Sequence, residues 1–349
     1  MAPKRLRVTV EEWPALNLRY GLLVAEEFRS DDIERRELVP EVTADVSRRT
    51  LFGRAITIGV ATGWQRREQR IRTYLKTPTF FGLPLESSLI AQRSHERFEG
   101  VTFVTDATQV RWEQRARIRR RLSLSYSYAF DRDRTFDTQP PPGAPDFDFD
   151  VVINIARLDV SSAWDTRDNP TETTRGLLAS YSLEIAPEVL GSDIRFVRQV
   201  AQTYYFRPWK SVVFASAARL GVVAPLDRQD LIPSERFFSG GSRSVRGVPE
   251  EGLGPRDFFG GAAGGEVMVV FNQEVRLPIY RWLRGLTFVD AGNVFAERGE
   301  AGLGELVGSL GVGLRLSTPF ALLRVDFAKI AWGAPTASGR WTFGLGHAF

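Results

Sequence analysis

Arg246 is the residue in this sequence best placed to do chemistry, and that chemistry is charge pairing. It lies in ERFFSGGSRSVRGVPEEGLGP, the run from Glu235 to Pro255. Arg236, Phe237 and Phe238 lead into Gly240 and Gly241, and Ser244, Val245, Arg246 and Gly247 follow. Paired glycines let a backbone reach positive φ and pack where no Cβ fits. An arginine on such a turn is a fixed, permanently charged fork, and a fork of that kind usually meets a carboxylate. The same residues also fit a solvated glycine-rich loop. A phosphate cradle fits worse, because neither GxxxxGK[ST] nor GxGxxG occurs.

The carboxylate worth noting is Asp290 in FVDAGNVF. It sits between Val289 and Ala291, inside an apolar strand, where an unpaired charge would be costly. Arg246, Arg315 and Arg324 are candidate partners. Upstream, in GGEVMVVFNQEVRLPI, Glu266, Asn272, Glu274 and Arg276 share one face, while Val267, Val269, Phe271, Val275 and Leu277 share the other. The two histidines, His95 and His347, are far apart. No HExxH and no Ser/His/Asp order occurs, so no catalysis, metal or cofactor is expected.

The elements that must position these residues are strands. Alternation of period two predicts sixteen of them: 16–26, 39–50, 54–65, 67–76, 83–97, 100–116, 121–131, 149–164, 175–187, 192–207, 211–224, 265–278, 285–295, 305–317, 320–329 and 340–349. In one, Leu310, Val312, Leu314 and Leu316 oppose Ser309, Gly311, Gly313 and Arg315. In another, Leu323, Val325 and Phe327 oppose Arg324 and Asp326. Apolar-out and polar-in, with charge on the polar face, is the pattern of a transmembrane barrel. A soluble sandwich alternates too, with its apolar face inward. The turn near Arg117–Arg121 carries no Gly or Pro. Long connections are expected at 27–38, 132–148 and 226–264, and short ones at 50–54 and 187–193.

Composition narrows the class. The chain has 349 residues and no Cys, which excludes disulfides and thiolate metal sites. No apolar run approaches the ~20 residues of a membrane helix, so a membrane-spanning form has to be a closed barrel. Of 46 basic residues only Lys4, Lys76, Lys210 and Lys329 are lysines; the rest are arginines, interleaved with acids to a net charge of +4. That suits a polar interior laced with ion pairs better than a nucleic-acid groove.

RFFSGGSRSVRG resembles the conserved sixth-loop motif of the BamA/TamA superfamily of outer-membrane assembly barrels. Val248 stands where that family has an aromatic. DTRDNPTETTRG, residues 165–176, resembles the family's D-x-RDNP segment, with Thr173-Thr174 in place of its usual proline region. The ending WTFGLGHAF, with Trp341, Phe343, Leu345 and Phe349, resembles a C-terminal β-signal, and reads equally as a last strand with interfacial aromatics. The resemblance implies an all-β, antiparallel transmembrane β-barrel of sixteen strands with loop six folded into the lumen. It implies that Asp290 and Glu274 hold Arg246, and that Gly21, Gly344 and Gly346 flank a weak lateral seam between the first and last strands.

It further implies a bacterial outer-membrane protein that inserts β-barrel or autotransporter clients. Partners would be outer-membrane lipids and unfolded clients, with periplasmic lipoproteins or an inner-membrane protein reached through upstream POTRA domains. Residues 1–14, with RLRVTVEE, read as the last strand of such a domain or as an edge strand, and 15–349 as the barrel. No signal peptide opens the sequence, so the natural protein is expected to begin further upstream. A two-partner polypeptide secretion transporter and a passive porin are the alternatives.

Overall fold

The computed structural model describes residues 14–29, 32–65, 68–97, 103–137, 150–170, 172–227, 229–256, 261–318, 322–334 and 339–345, with backbone alone for 22–29, 32–41, 97, 103, 137 and 345. Sixteen antiparallel strands follow one another in sequence order. They are β1 (Leu16–Arg29), β2 (Asp32–Arg48), β3 (Thr57–Trp64), β4 (Glu68–Thr77), β5 (Leu85–Arg97), β6 (Phe103–Arg119), β7 (Leu122–Asp137) and β8 (Asp150–Asp165). The series continues with β9 (Gly176–Ala186), β10 (Phe196–Trp209), β11 (Val212–Pro225), β12 (Val267–Tyr280), β13 (Leu283–Phe295), β14 (Val307–Ser317), β15 (Leu322–Trp332) and β16 (Arg340–Leu345). The helical elements among the described residues are short 3-10 turns.

The number of strands matches the alternation, while some limits differ. The long connection expected at 27–38 is a ladder instead, with pairing carried to Phe28↔Arg36 and Arg29↔Asp32. Strand β7 likewise runs to Asp137, past the expected end at 131. In both places charged residues end the apolar alternation, but backbone pairing needs no apolar side chain and continues. The unmarked turn falls at Arg120-Arg121, between β6 and β7. The segment 1–13, His347, Gly346 and Phe349 lie outside the described residues.

The chain divides into two compact units, Met1–Gln114 with Tyr128–Asn154, and Arg115–Ser127 with Ile155–Phe349. In the first, Ile58, Val60, Leu75 and Leu89 are exposed, whereas Ser47 and Tyr74 on the opposite face are buried. The Tyr74 hydroxyl donates to Asp45 at 2.9 Å. In the second unit, Val289, Leu310, Val312, Leu314 and Leu323 are exposed, while Asp290, Ser309, Arg315, Arg324 and Asp326 are buried. Burial is thus reversed from a sandwich: the apolar face points away from the interior, and the charged face is the core.

That reversal has a direct consequence. Val312 is 55% exposed at the middle of β14. In a water-soluble protein, Val312→Arg would change stability by no more than about 0.5 kcal/mol. In a bilayer it is expected to cost about 2–4 kcal/mol. Urea unfolding in lipid vesicles separates the two, and a near-zero effect there would reject a lipid-facing β14.

Candidate functional site

In the segment joining β11 to β12, residues 242–247 meet the polar face of β12 to β15. Its turn requires glycine: Gly240 has φ +119° and Gly241 has φ +90°. A Cβ on Gly240 would meet the Pro249 carbonyl, and one on Gly241 the Glu250 carboxylate. The Gly240 N–H donates to Ser244 Oγ at 2.8 Å, and the Ser242 N–H to Glu250 Oε1 at 2.8 Å. The loop then delivers Arg246 to the sheet with no exposed surface.

Arg246 meets its acids through nearly every donor it has. Its Nε and Nη2 donate to Asp290 at 2.7 and 2.8 Å, a bidentate fork. Its Nη1 donates to Glu274 at 2.7 Å, and its backbone N–H to Asp290 at 3.1 Å. Asp326 stands 3.7 Å away. Burial opposes the charge, yet Asp290, Glu274 and Asp326 outweigh it and push the guanidinium pKa above the ordinary arginine value. The guanidinium also lies 3.4 Å from the centroid of the Phe288 ring, a cation–π geometry.

Register explains the assembly. Asn272 pairs with Asp290 and Glu274 with Phe288 across β12 and β13. Phe288 in turn faces Gly311 on β14. A Cβ on Gly311 would strike the Phe288 ring, so that glycine lets the ring lie beneath Arg246. Asn272 donates to Asp290 at 2.8 Å and to the Ser244 carbonyl at 2.5 Å, stapling loop to wall. Arg315 and Arg324, the other candidate partners of Asp290, lie instead by Asp326, at 2.6 and 3.8 Å. Arg276 lies 2.8 Å from Glu274. Arg324 donates to the Ser242 carbonyl and Arg219 to the Arg243 carbonyl. The cluster therefore sets four buried arginines, 246, 276, 315 and 324, against Glu274, Asp290 and Asp326.

The remaining motif residues surround this cluster. Arg236 donates to the Leu231 and Ala263 carbonyls. Phe237 pairs by backbone with Gly265, and the Phe238 ring lies close to Gly264. Val245 and Val248 are buried with Leu253, Val270, Val307 and Ile330, so Val248 fills an apolar cluster of its own. Gly247 approaches Ala328 of β15.

Of the described residues expected at the seam and the chain end, Gly344 alone borders this assembly. Gly21 pairs with Thr43 of β2, and Gly344 lies opposite Arg324, leaving room for that guanidinium. Trp341 and Phe343 are exposed on the apolar face, and Leu345 pairs by backbone with Leu323.

Four contributors carry little signal in the sequence. Asn272 and Asp326 read there only as polar-face residues, and Phe288 only as part of FVDAGNVF. The fourth is Glu235, which is 5% exposed and contacts Arg157 and Arg198. Its only sequence signal is an acid directly before RFF.

The turn at 166–175 forms a brace at the opposite strand ends. Asp168 accepts the Thr174 hydroxyl at 2.5 Å and the N–H groups of Asn169, Thr174 and Arg175. Glu172 then bonds Arg284 at 3.1 Å and Ser317 at 3.0 Å, tying the turn to β13 and β14.

Removing Arg246 strands Asp290 without its cation and leaves Glu274 to Arg276 and Arg315. Arg246→Ala is expected to cost about 3–5 kcal/mol, the usual penalty for one half of a buried pair. The check is the heat needed to unfold the compact band on a gel, which should fall. Asp168 gives a second check. Burial raises its pKa, but the Thr174 hydroxyl and the three N–H groups hold it down at about 2, below the ordinary 3.8. A depressed carboxylate stabilises the turn above the unfolded value and loses that effect as pH falls through the folded one. NMR titration of the Thr174 and Arg175 amides should show a midpoint near that lower value, moving up in Thr174→Ala. A midpoint at the ordinary value in the parent would discard this reading.

Comparison with known proteins gives the lineage. Residues 50–349 match the Omp85 superfamily domain. The chain is 27% identical over 203 residues to the Sorting assembly machinery 50 kDa subunit of Saccharomyces cerevisiae, covering 53% of this chain and 41% of that protein. It is 28% identical over 199 residues to the Outer membrane protein assembly factor BamA of Nitratidesulfovibrio vulgaris, covering 53% of this chain and 24% of that protein. It thus matches less than half the length of these curated relatives. The crystal structure of BamA from Haemophilus ducreyi lacking POTRA domains 1-3 superposes with a TM-score of 0.77 at 14% identity, over 95% of this chain and 70% of that one. The likeness gives the fold, a sixteen-stranded antiparallel β-barrel. A match spanning most of the sequence, together with the strand order, makes this chain a member of the Omp85 superfamily.

Proposed function

We propose that this chain is the membrane-embedded domain of an outer-membrane assembly factor of the BamA/TamA kind. It would be an integral barrel of a bacterial outer membrane that receives unfolded β-barrel clients and passes them into the lipid. The observation that carries the reading is the clasp of Arg246 by Asp290 and Glu274, on a chain of the Omp85 superfamily. Loop six would then lie in the lumen, holding the barrel wall in shape and occupying the pore.

The work is done without nucleotide, metal or cofactor, and the protein is not an enzyme. An unpaired strand edge offers a row of N–H and C=O groups to an incoming strand, and that pairing is β-augmentation. The seam between the first and last strands, near Gly21 and Gly344, would provide the edge. Upstream POTRA domains would bring clients, and lipoproteins or an inner-membrane protein would dock on them. A two-partner secretion transporter is the second reading. It shares the loop motif but would pass its polypeptide through the lumen. A passive porin fits less well with a loop bonded to the polar face through Ser242, Ser244 and Arg246.

Cysteines placed beside Gly21 and beside Gly344 test the seam, and the parent has none to interfere. Oxidation should stop insertion of a model barrel protein into vesicles, and reductant should restore it. Insertion that is equally fast with the crosslink closed would make the seam a structural element and move the secretion reading to first place.

A further inference from the structure

Loop six carries a second buried charge at its base, and the polarity there is reversed. At the tip the loop supplies the cation and the wall the acids. At the base the loop supplies Glu235, and the wall supplies Arg157 from β8 and Arg198 from β10. Glu235 accepts Arg198 Nη2 at 2.6 Å and Arg157 Nη2 at 3.3 Å. Between them stands Glu184 of β9, 3.4 Å from Arg157 and 3.1 Å from Arg198. Glu235 and Glu184 thus face two guanidiniums, with Asp159 opposite Glu184 across the β8–β9 ladder.

The main chain is held as well as the side chain. Arg198 donates to the Glu235 carbonyl at 2.6 Å. Its guanidinium lies 4.9 Å from the Phe196 ring and 5.8 Å from the Phe237 ring, so an aromatic of the loop motif closes over the pair. Phe196 is fully buried and Glu235 is 5% exposed, which keeps water from competing for these charges. The base cluster and the Arg246 cluster share no residue. One lies on β8 to β10 and the other on β12 to β15.

We infer that Glu235 is a second, independent anchor, and that loop six is a strap pinned at both ends. Strand β11, from which the loop departs, lies between the two attachment sites. Breaking one anchor leaves the other closed, so the stretch between them stays packed. Only loss of both frees it. Glu235 is a positioning residue, acting on the loop and through it on the wall.

Ser239 reports on the stretch between the anchors. It is 5% exposed, and its hydroxyl has no hydrogen-bond partner among the described residues, so a thiol replaces it without breaking a bond. The experiment uses the full chain carrying Ser239→Cys, folded into vesicles, and reads the rate of labelling by a membrane-impermeant maleimide. Glu235→Ala and Arg246→Ala should each speed labelling by roughly threefold. The double variant should exceed the product of the two by about tenfold or more, the non-additivity of groups that hold one element. Glu235→Gln keeps the shape and loses the charge, and it should behave as the alanine variant does. Exchanging the charges, Arg198→Glu with Glu235→Arg, should return labelling towards the parent rate. A parent-like rate in Glu235→Ala would overturn the proposal, as would full opening by Arg246→Ala alone. The gel shift on heating confirms that each variant is folded before it is labelled. No client protein is needed, so the result stands apart from whether the chain inserts strands.

Discussion

A charge removed from water has to find its opposite, and most of this molecule's second unit is arranged around that requirement. Arg246, Glu274, Asp290 and Asp326 have no appreciable exposure. Each would be costly alone, and each is acceptable because the others are in place. The arrangement is therefore cooperative. Loop, β12, β13 and β15 each contribute a member, and none of the four elements can shift without stranding a charge on another. The glycines and Phe288 belong to the same logic, since they bring the groups close enough for the hydrogen bonds to form.

The barrel reverses the usual relation between core and surface. Leucines and valines of β14 face outward, and their alternate neighbours carry the polar and charged side chains inward. Lipid supplies the apolar environment that a soluble protein has to build for itself. Inside, packing is replaced by hydrogen bonding, and specificity comes from which arginine meets which acid. Arg315 and Arg324 would serve Asp290 as well by charge alone. Register sends them to Asp326, because Gly313 pairs with Asp326 and Arg315 with Arg324 across β14 and β15.

Much of this was legible in the sequence. Period-two alternation marks all sixteen strands, because lipid on one side and water on the other impose it residue by residue. Arg246 stands out because it follows paired glycines, and Asp290 because its charge interrupts an apolar stretch, whereas Glu274 is one of several polar-face residues and is singled out by the family resemblance. What could not be read depends on distance along the chain. Glu235 meets Arg157 across 78 positions and Arg198 across 37, and no local pattern encodes either contact. The ends of β1, β2 and β7 are hidden for another reason: charged residues end the alternation in the sequence there, while the backbone ladder carries on.

The Phe288 ring beneath Arg246 has a further consequence. It covers one face of the guanidinium, and Arg246 has no exposed surface, so counterions in the bulk do not reach the charge. Mobile ions weaken exposed pairs over a Debye length of about 8 Å in physiological saline, but they cannot screen a pair they cannot approach. An attachment enclosed in this way is insulated from the ionic strength of its surroundings. Parting Arg246 from Asp290 therefore calls for displacement of the loop from β13, and changing the salt of the surroundings does little to assist it.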